Sequence, residues 1–193
     1  MGRGRTTRLA AIALALGAGC SSAPAKLYTL RSSAVAADAP PVSRTIIVGP
    51  VTVPGSVDRP EIVVSVGANQ VDADEFNRWA GPLPDTIARV VAGDLTTLLG
   101  SPDVAVAPLA NFRSDYRVSI DVQRFESVPG QHVVLDAVWV VHPTTGGAVR
   151  SGRTLADEPV RGDGYDAMVA AHSTALARLS GDIATAIRGA GAP

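Results

Sequence analysis

One cysteine, one lysine and eight aromatic side chains in 193 residues rule out several kinds of protein at the outset. The lone thiol, Cys20, has no partner within the chain, and neither a CxxC nor an HExxH spacing occurs, so a zinc site has no ligand set. An acidic loop with calcium spacing is missing too. There is no G-x-S-x-G elbow, no phosphate-binding Walker-type loop and no Rossmann fingerprint, which leaves catalysis without a candidate constellation and calls for no cofactor. Positive charge is not in excess: 17 basic residues, 16 of them arginine, stand against 18 acidic ones. Nucleic acid needs a basic footprint to meet its phosphates, so none is expected as a partner. After the N-terminus no apolar run approaches the ~20 residues of a membrane-spanning helix.

What is present begins at that N-terminus. Arg3, Arg5 and Arg8 precede an apolar stretch from Leu9 to Ala18, followed by Gly19 and Cys20. This is the layout of a secretory signal peptide over residues 1–19. A cysteine directly after small residues resembles a bacterial lipobox, in which the thiol is acylated and the lipid tethers the mature chain. Gly17 stands where leucine is usual, with Leu16 one place earlier. The other reading is an ordinary signal peptide with an incidental cysteine, but an unpaired thiol in an exported chain is a liability. Cleavage before Cys20 takes three arginines with it and leaves 14 basic against 18 acidic residues, a mildly acidic chain long enough for one cored domain.

Residues 20–43, rich in Ala, Ser and Pro, are expected to form a flexible tether with a short strand at 26–30 (KLYTL). The folded domain is expected over 44–190. Ile46, Ile47, Val48, Val51 and Val53 suit a strand interrupted at Gly49-Pro50, and Glu61–Val66 and Gln70–Ala73 suit two more. Asp85 to Gly100 reads as a helix, with Ile87, Val90, Val91, Leu95, Leu98 and Leu99 on one stripe. Val104–Ala107 is a short strand. In Asp115–Glu126, residues 116, 118, 120 and 122 share an apolar face, and Phe125 falls out of phase, which predicts a bulge near Gln123–Arg124. Val133–Val141 is apolar on both faces and therefore needs cover on both, from helices of this chain or a neighbouring subunit. Ala148–Leu155 supplies another strand. A last helix runs from Asp163 to about Arg188, with Tyr165, Val169, His172, Leu176, Leu179, Ile183 and Ile187 on one face. The expectation is one α+β domain, a mostly antiparallel sheet with two long amphipathic helices packed on one face.

Among polar residues, His172 sits on an apolar stripe and reads as a core histidine, while His132 and His142 flank one strand as its exposed ends. Asp72, Asp74 and Glu75 read as a solvated loop. Two clusters stand out: Asp58-Arg59-Pro60 at the start of a strand, and Phe76-Asn77-Arg78-Trp79 before the first long helix. On one reading Arg59 pairs with a carboxylate while Phe76 and Trp79 cap the core. On the other, Asp58, Arg59, Arg78 and Trp79 form a partner-binding surface, since Trp and Arg are favoured interface anchors.

Several segments together resemble the PqiC/YmbA family, the ABC-type transport auxiliary lipoprotein component. They are KLYTL (26–30), VGPV (48–51), VDRPEIV (57–63), Asn69, FNRWAGPL (76–83), Leu95 to Gly100, DYRV (115–118), Asp121-Val122, Phe125, Ala137 and Trp139. Gly81 departs from the family pattern, which often carries an acidic residue there. The resemblance implies a non-catalytic lipoprotein subunit of a lipid-trafficking system, docking a periplasm-spanning MCE-type protein at the outer membrane of a Gram-negative envelope, as a homo-oligomeric ring of subunits. Ser21 after Cys20 fits sorting to the outer membrane. The rival of another class is a tethered carrier holding lipid in its own pocket.

Overall fold

A computed structural model describes residues 24–36 and 38–190. The signal peptide and Cys20 lie outside the described residues. The fold is α+β, with eight strands and two helices. The strands fall into two sheets, and it is parallel pairing, invisible to residue periodicity, that divides them. β2 (Ile46–Thr52) lies parallel to both β5 (Val104–Val106) and β6 (Tyr116–Val128). β6, β7 (His132–Pro143) and β8 (Arg150–Pro159) continue as an antiparallel meander, which gives a five-stranded sheet in the order β5-β2-β6-β7-β8. A smaller sheet has the order β1-β4-β3. Here β3 (Glu61–Gly67) and β4 (Gln70–Trp79) form a hairpin, and β1 (Lys26–Tyr28) adds to β4 in parallel.

α1 (Leu83–Leu99) starts with proline in its first turn, where a missing N–H costs nothing, and stops at Gly100, whose φ of 62° only glycine adopts freely. It packs on β2 and β5, α2 (Gly164–Ala190) packs on β7 and β8, and the two helices touch along their length. Their apolar stripes meet the inward face of the meander, where Val118, Ile120, Val122, Val133, Leu135, Ala137 and Val141 are all buried. The expected bulge in β6 is present: pairing with β7 shifts between Val122 and Arg124, which returns Phe125 to the core side. Trp139 lies flat over Gly152 of β8, so close that a Cβ there would stand 2.3 Å from the ring.

The outward face of β7 is covered by neither a helix nor a second domain. Val134 and Asp136 are nonetheless only 7% and 4% exposed, because long charged side chains of the flanking strands fold over them. Arg153 on β8 holds Asp136 through two hydrogen bonds of 2.7 and 2.6 Å, and Arg124 pairs with Glu126 on β6. Cover on this side is partial: the Arg153–Asp136 pair bridges β8 and β7, while Val138 of β7 and Leu155 of β8 remain 37% and 65% exposed.

Residues 30–34 are no flexible tether. They are strapped to the helices, because Asp94, a fully buried carboxylate on α1, needs donors and finds them there. Its Oδ1 accepts from Ser32 Oγ (2.6 Å) and from the backbone N–H groups of Ser33 and Ala34 (3.0 Å each), and its Oδ2 accepts from Ser180 Oγ on α2 (3.0 Å). Leu30 is buried, Arg31 N–H donates to Ser173 Oγ, and Gly93 lets Ser32 come so near that a Cβ would lie 3.2 Å from it. Further along, Arg188 at the end of α2 donates to the carbonyls of Pro40 and Leu98.

Replacing Asp94 with Ala strands several donors at once and should lower unfolding stability by about 3 kcal/mol or more in a urea titration. A loss under about 1 kcal/mol would mean that the strap is held by its apolar contacts instead.

Candidate functional site

The two clusters singled out in the sequence meet at the open end of the small sheet. Glu61 on β3 lies opposite Arg78 on β4. Its carboxylate is shared, with Oε2 2.9 Å from Arg59 Nε and Oε1 3.1 Å from Arg78 Nη2. The Arg59 hydrogen bond, then the neighbouring charges, hold the Glu61 carboxyl below its ordinary value. Trp79 N–H donates to the Pro60 carbonyl (2.8 Å), and Ala80 N–H donates to the Tyr28 carbonyl (2.8 Å). The three stretches KLY, DRPE and RWAGPL are thereby tied into one corner.

Why Phe76 points out follows from the hairpin register. Ile62 pairs with Asp74 but Glu61 pairs with Arg78, so residues 75–77 of β4 have no opposite number and form a bulge. Asp74 secures it, accepting at Oδ1 from the N–H groups of Phe76 (2.8 Å) and Asn77 (3.1 Å). Its Oδ2 accepts from Tyr165 Oη of α2 (2.7 Å) and Asn77 Nδ2 (2.9 Å), and Tyr28 Oη donates to Asn77 Oδ1 (2.9 Å). The Tyr165 bond is the main reason that the Asp74 carboxyl sits below its usual value, and burial with the same contact pushes the Tyr165 phenol up. Asp72–Glu75 thus belong to a strand and a bulge, in contrast to the solvated loop expected. Phe76 is 50% exposed and does not cap the core.

Trp79 does. Its ring meets Phe125 edge-on at 6.2 Å between centroids, and Phe125 stacks on His172 at 3.9 Å. His172 is fully buried and its Nε2 is 2.8 Å from Ser127 Oγ, while Nδ1 has no partner among the described residues. Burial pushes its pKa down to about 3, so the ring is neutral, a core histidine as expected from its stripe. Ser127 and His172 make a buried hydroxyl–imidazole pair, 3% and 0% exposed.

The outer side of Trp79 faces a surface hollow of about 330 Å³ lined by Asp58, Arg59, Pro60, Trp79, Gly81, Pro82 and Leu83. All four residues anticipated as an interface are therefore in one place: Asp58 and Arg59 on its rim, Trp79 in its wall, and Arg78 beside Glu61 just outside. Near Gly81, Arg89 of α1 donates from Nη2 to Thr86 Oγ1 at 3.1 Å. No group of three or more potential metal ligands occurs among the described residues.

The family model for the ABC-type transport auxiliary lipoprotein component matches residues 28–184. The chain belongs to this family. As a member of it, the protein is an auxiliary lipoprotein component of transport, of a kind placed in the cell envelope and not known for enzymatic activity. No helix among its described residues is long and apolar enough to cross a membrane. Two solved structures share the fold. One, of an uncharacterized protein, is 24% identical over 86% of this chain and 99% of its own, with a TM-score of 0.69. The other, a Xanthomonas campestris protein of the DUF330 family, is 23% identical over 82% of this chain and 92% of its own, with a TM-score of 0.66. A PelC dodecamer from Paraburkholderia phytofirmans is 12% identical over 74% of this chain and 92% of its own; at a TM-score of 0.44 its assembly has no bearing here. No curated protein matches the auxiliary lipoprotein in sequence.

The buried imidazole gives the domain an acid-sensitive core. Below pH 6.5 the unfolded chain takes up a proton that His172 refuses in the fold until about pH 3, so stability falls as pH drops through this window. The slope should approach about 1.4 kcal/mol per pH unit between 6.5 and 4.5. His172→Gln should flatten it; an unchanged slope in urea titrations across that range would place the proton uptake elsewhere.

Proposed function

We propose that the protein is a non-catalytic subunit of an MCE-type lipid transport system, anchored in the outer membrane by acylated Cys20 and gripping a periplasm-spanning MCE-domain protein. Membership in the transport auxiliary family supports a transport role. The observation that carries the docking role is the convergence of the DRPE and RWAGPL segments on one apolar hollow with a charged rim, with KLY tied alongside through the Tyr28 carbonyl. An aromatic wall backed by the core, with arginines at its edge, is what an interface anchor needs. The work of such a subunit is positional: the lipid fixes one end, the folded surface holds the other, and subunits arranged as a homo-oligomeric ring would multiply weak contacts.

A lipid carrier would need a large hollow on the core side of the sheet. That side is filled by Leu135, Ala137 and Trp139 under Leu176 and Leu179. The surface hollows, about 290, 330 and 220 Å³, fall at or below the low end of the ~300–1,000 Å³ usual for ligand pockets. Nothing among the described residues favours the carrier.

A tagged full-length chain solubilised from envelopes should bring down an MCE-domain protein, and Asp58→Arg combined with Arg59→Glu should reduce the yield at least fivefold. A lipoprotein that purifies alone from cells containing such a system would overturn the proposal. Cys20→Ala should move the chain from the membrane fraction to the soluble fraction; retention on the membrane would overturn the anchor.

A further inference from the structure

The five-stranded sheet ends on one side at β8, and that edge is open. β8 pairs only with β7, and its backbone groups bond to no other element among the described residues. An open edge of ten residues is a template for another strand. The outward row of β8 reads Ser151, Arg153, Leu155, Asp157 and Pro159, and Leu155 is 65% exposed. About Leu155 the row is a charge palindrome, with arginine two residues before it and aspartate two residues after. Both charges are only half committed within the chain. Arg153 gives Nε and Nη2 to Asp136, and Asp157 Oδ1 lies 3.0 Å from His132 Nδ1. Their side chains are still 65% and 61% exposed, and Arg153 Nη1 and Asp157 Oδ2 have no side-chain partner among the described residues.

We propose that the strand received by this edge is β8 of a second copy of the chain, paired antiparallel with Leu155 opposite Leu155. In that register Arg153 of each copy lies opposite Asp157 of the other, and the two leucines cover each other. Moving the centre two residues either way sets Arg153 or Asp157 opposite its own copy, so the charges select one register. A foreign strand has no reason to carry this palindrome; a second copy always does. The contact is isologous and closes on itself about a two-fold axis perpendicular to the sheet. The two five-stranded sheets become one, with the helices of both copies on the same face. The strap lies on those helices, so both N-terminal segments leave from that face and both anchors can reach one membrane. A strand edge is a small contact beside the ~1,200–2,000 Å² of a stable interface, and a shared membrane surface raises the effective concentration that populates it. The pair goes beyond the docking role, because no residue of β8 lines the hollow at Trp79. It is also distinct from the head-to-tail contact that a ring of copies requires.

The test uses the full chain in its membrane, with two differently tagged copies co-expressed. Residues directly opposite in an antiparallel pair have Cα atoms about 4.5–5.5 Å apart, within reach of a disulfide. On mild oxidation Leu155→Cys should therefore give cross-linked chains at least fivefold more abundantly than Ser151→Cys, which lies opposite Pro159 of the second copy. One tagged copy should recover the other, and Leu155→Glu in both should cut that recovery at least fivefold by setting like charges face to face. Asp157→Arg in both should do the same, by opposing Arg153. Leu155→Glu in one copy with Leu155→Lys in the other should restore the recovery, which also shows that these exposed substitutions leave the fold intact. Cross-linking through Leu155→Cys no better than through Ser151→Cys, or failure of the Glu–Lys combination to restore recovery, would overturn the pair. Copies that stay together undiminished through Leu155→Glu would overturn it as well, and would leave the ring and the docking function standing.

Discussion

A single buried carboxylate decides how this chain closes. A carboxyl group with no solvent contact is tolerated only when its oxygens find donors, and Asp94 draws those donors from two places far apart in sequence. Ser180 joins it to the second helix, and the Ser32–Ala34 backbone joins it to the N-terminal strap. The strap in turn fixes where β1 must lie, and β1 completes the small sheet that carries the Trp79 corner. Remove the reason for the strap to lie across the helices, and β1 is left with its parallel pairing to β4 and the bonds of Tyr28 to Ala80 and Asn77 alone.

The corner itself is built for shape more than for stability. Its ion pairs are largely exposed, and such pairs contribute little to folding. Glu61, held by two arginines, orients them; Trp79 does the energetic work by packing its inner face on Phe125 and the stacked His172. One side chain therefore serves both the core and the surface, so the outer wall of the hollow is as rigid as the core behind it.

How much of this could be read in the sequence follows from what each signal encodes. The helices were legible because Ile87, Val91, Leu95 and Leu176, Leu179, Ile183 repeat at the helical period, and the bulge at Gln123 because Phe125 breaks a period of two. The grouping of Asp58, Arg59, Arg78 and Trp79 was legible as composition, but their meeting depends on the Glu61–Arg78 register, which pattern does not carry. The strap was missed since an Ala-Ser-Pro segment looks alike whether free or bound, and its partner Asp94 is hidden within an apolar stripe. Phe76 was misjudged because a three-residue bulge anchored by Asp74 turns it outward. The second face of β7 is apolar in the sequence, and the structure covers it only in part: Arg153 folds over Asp136, while Val138 stays 37% exposed.

The strap has one more consequence, for distance. The first strand starts at Lys26, six positions after Cys20 in the sequence. Six extended residues span at most about 20 Å. Were Cys20 acylated as proposed, the first strand would stay within that distance of the headgroups, and a partner docking at the Trp79 corner would have to meet it there.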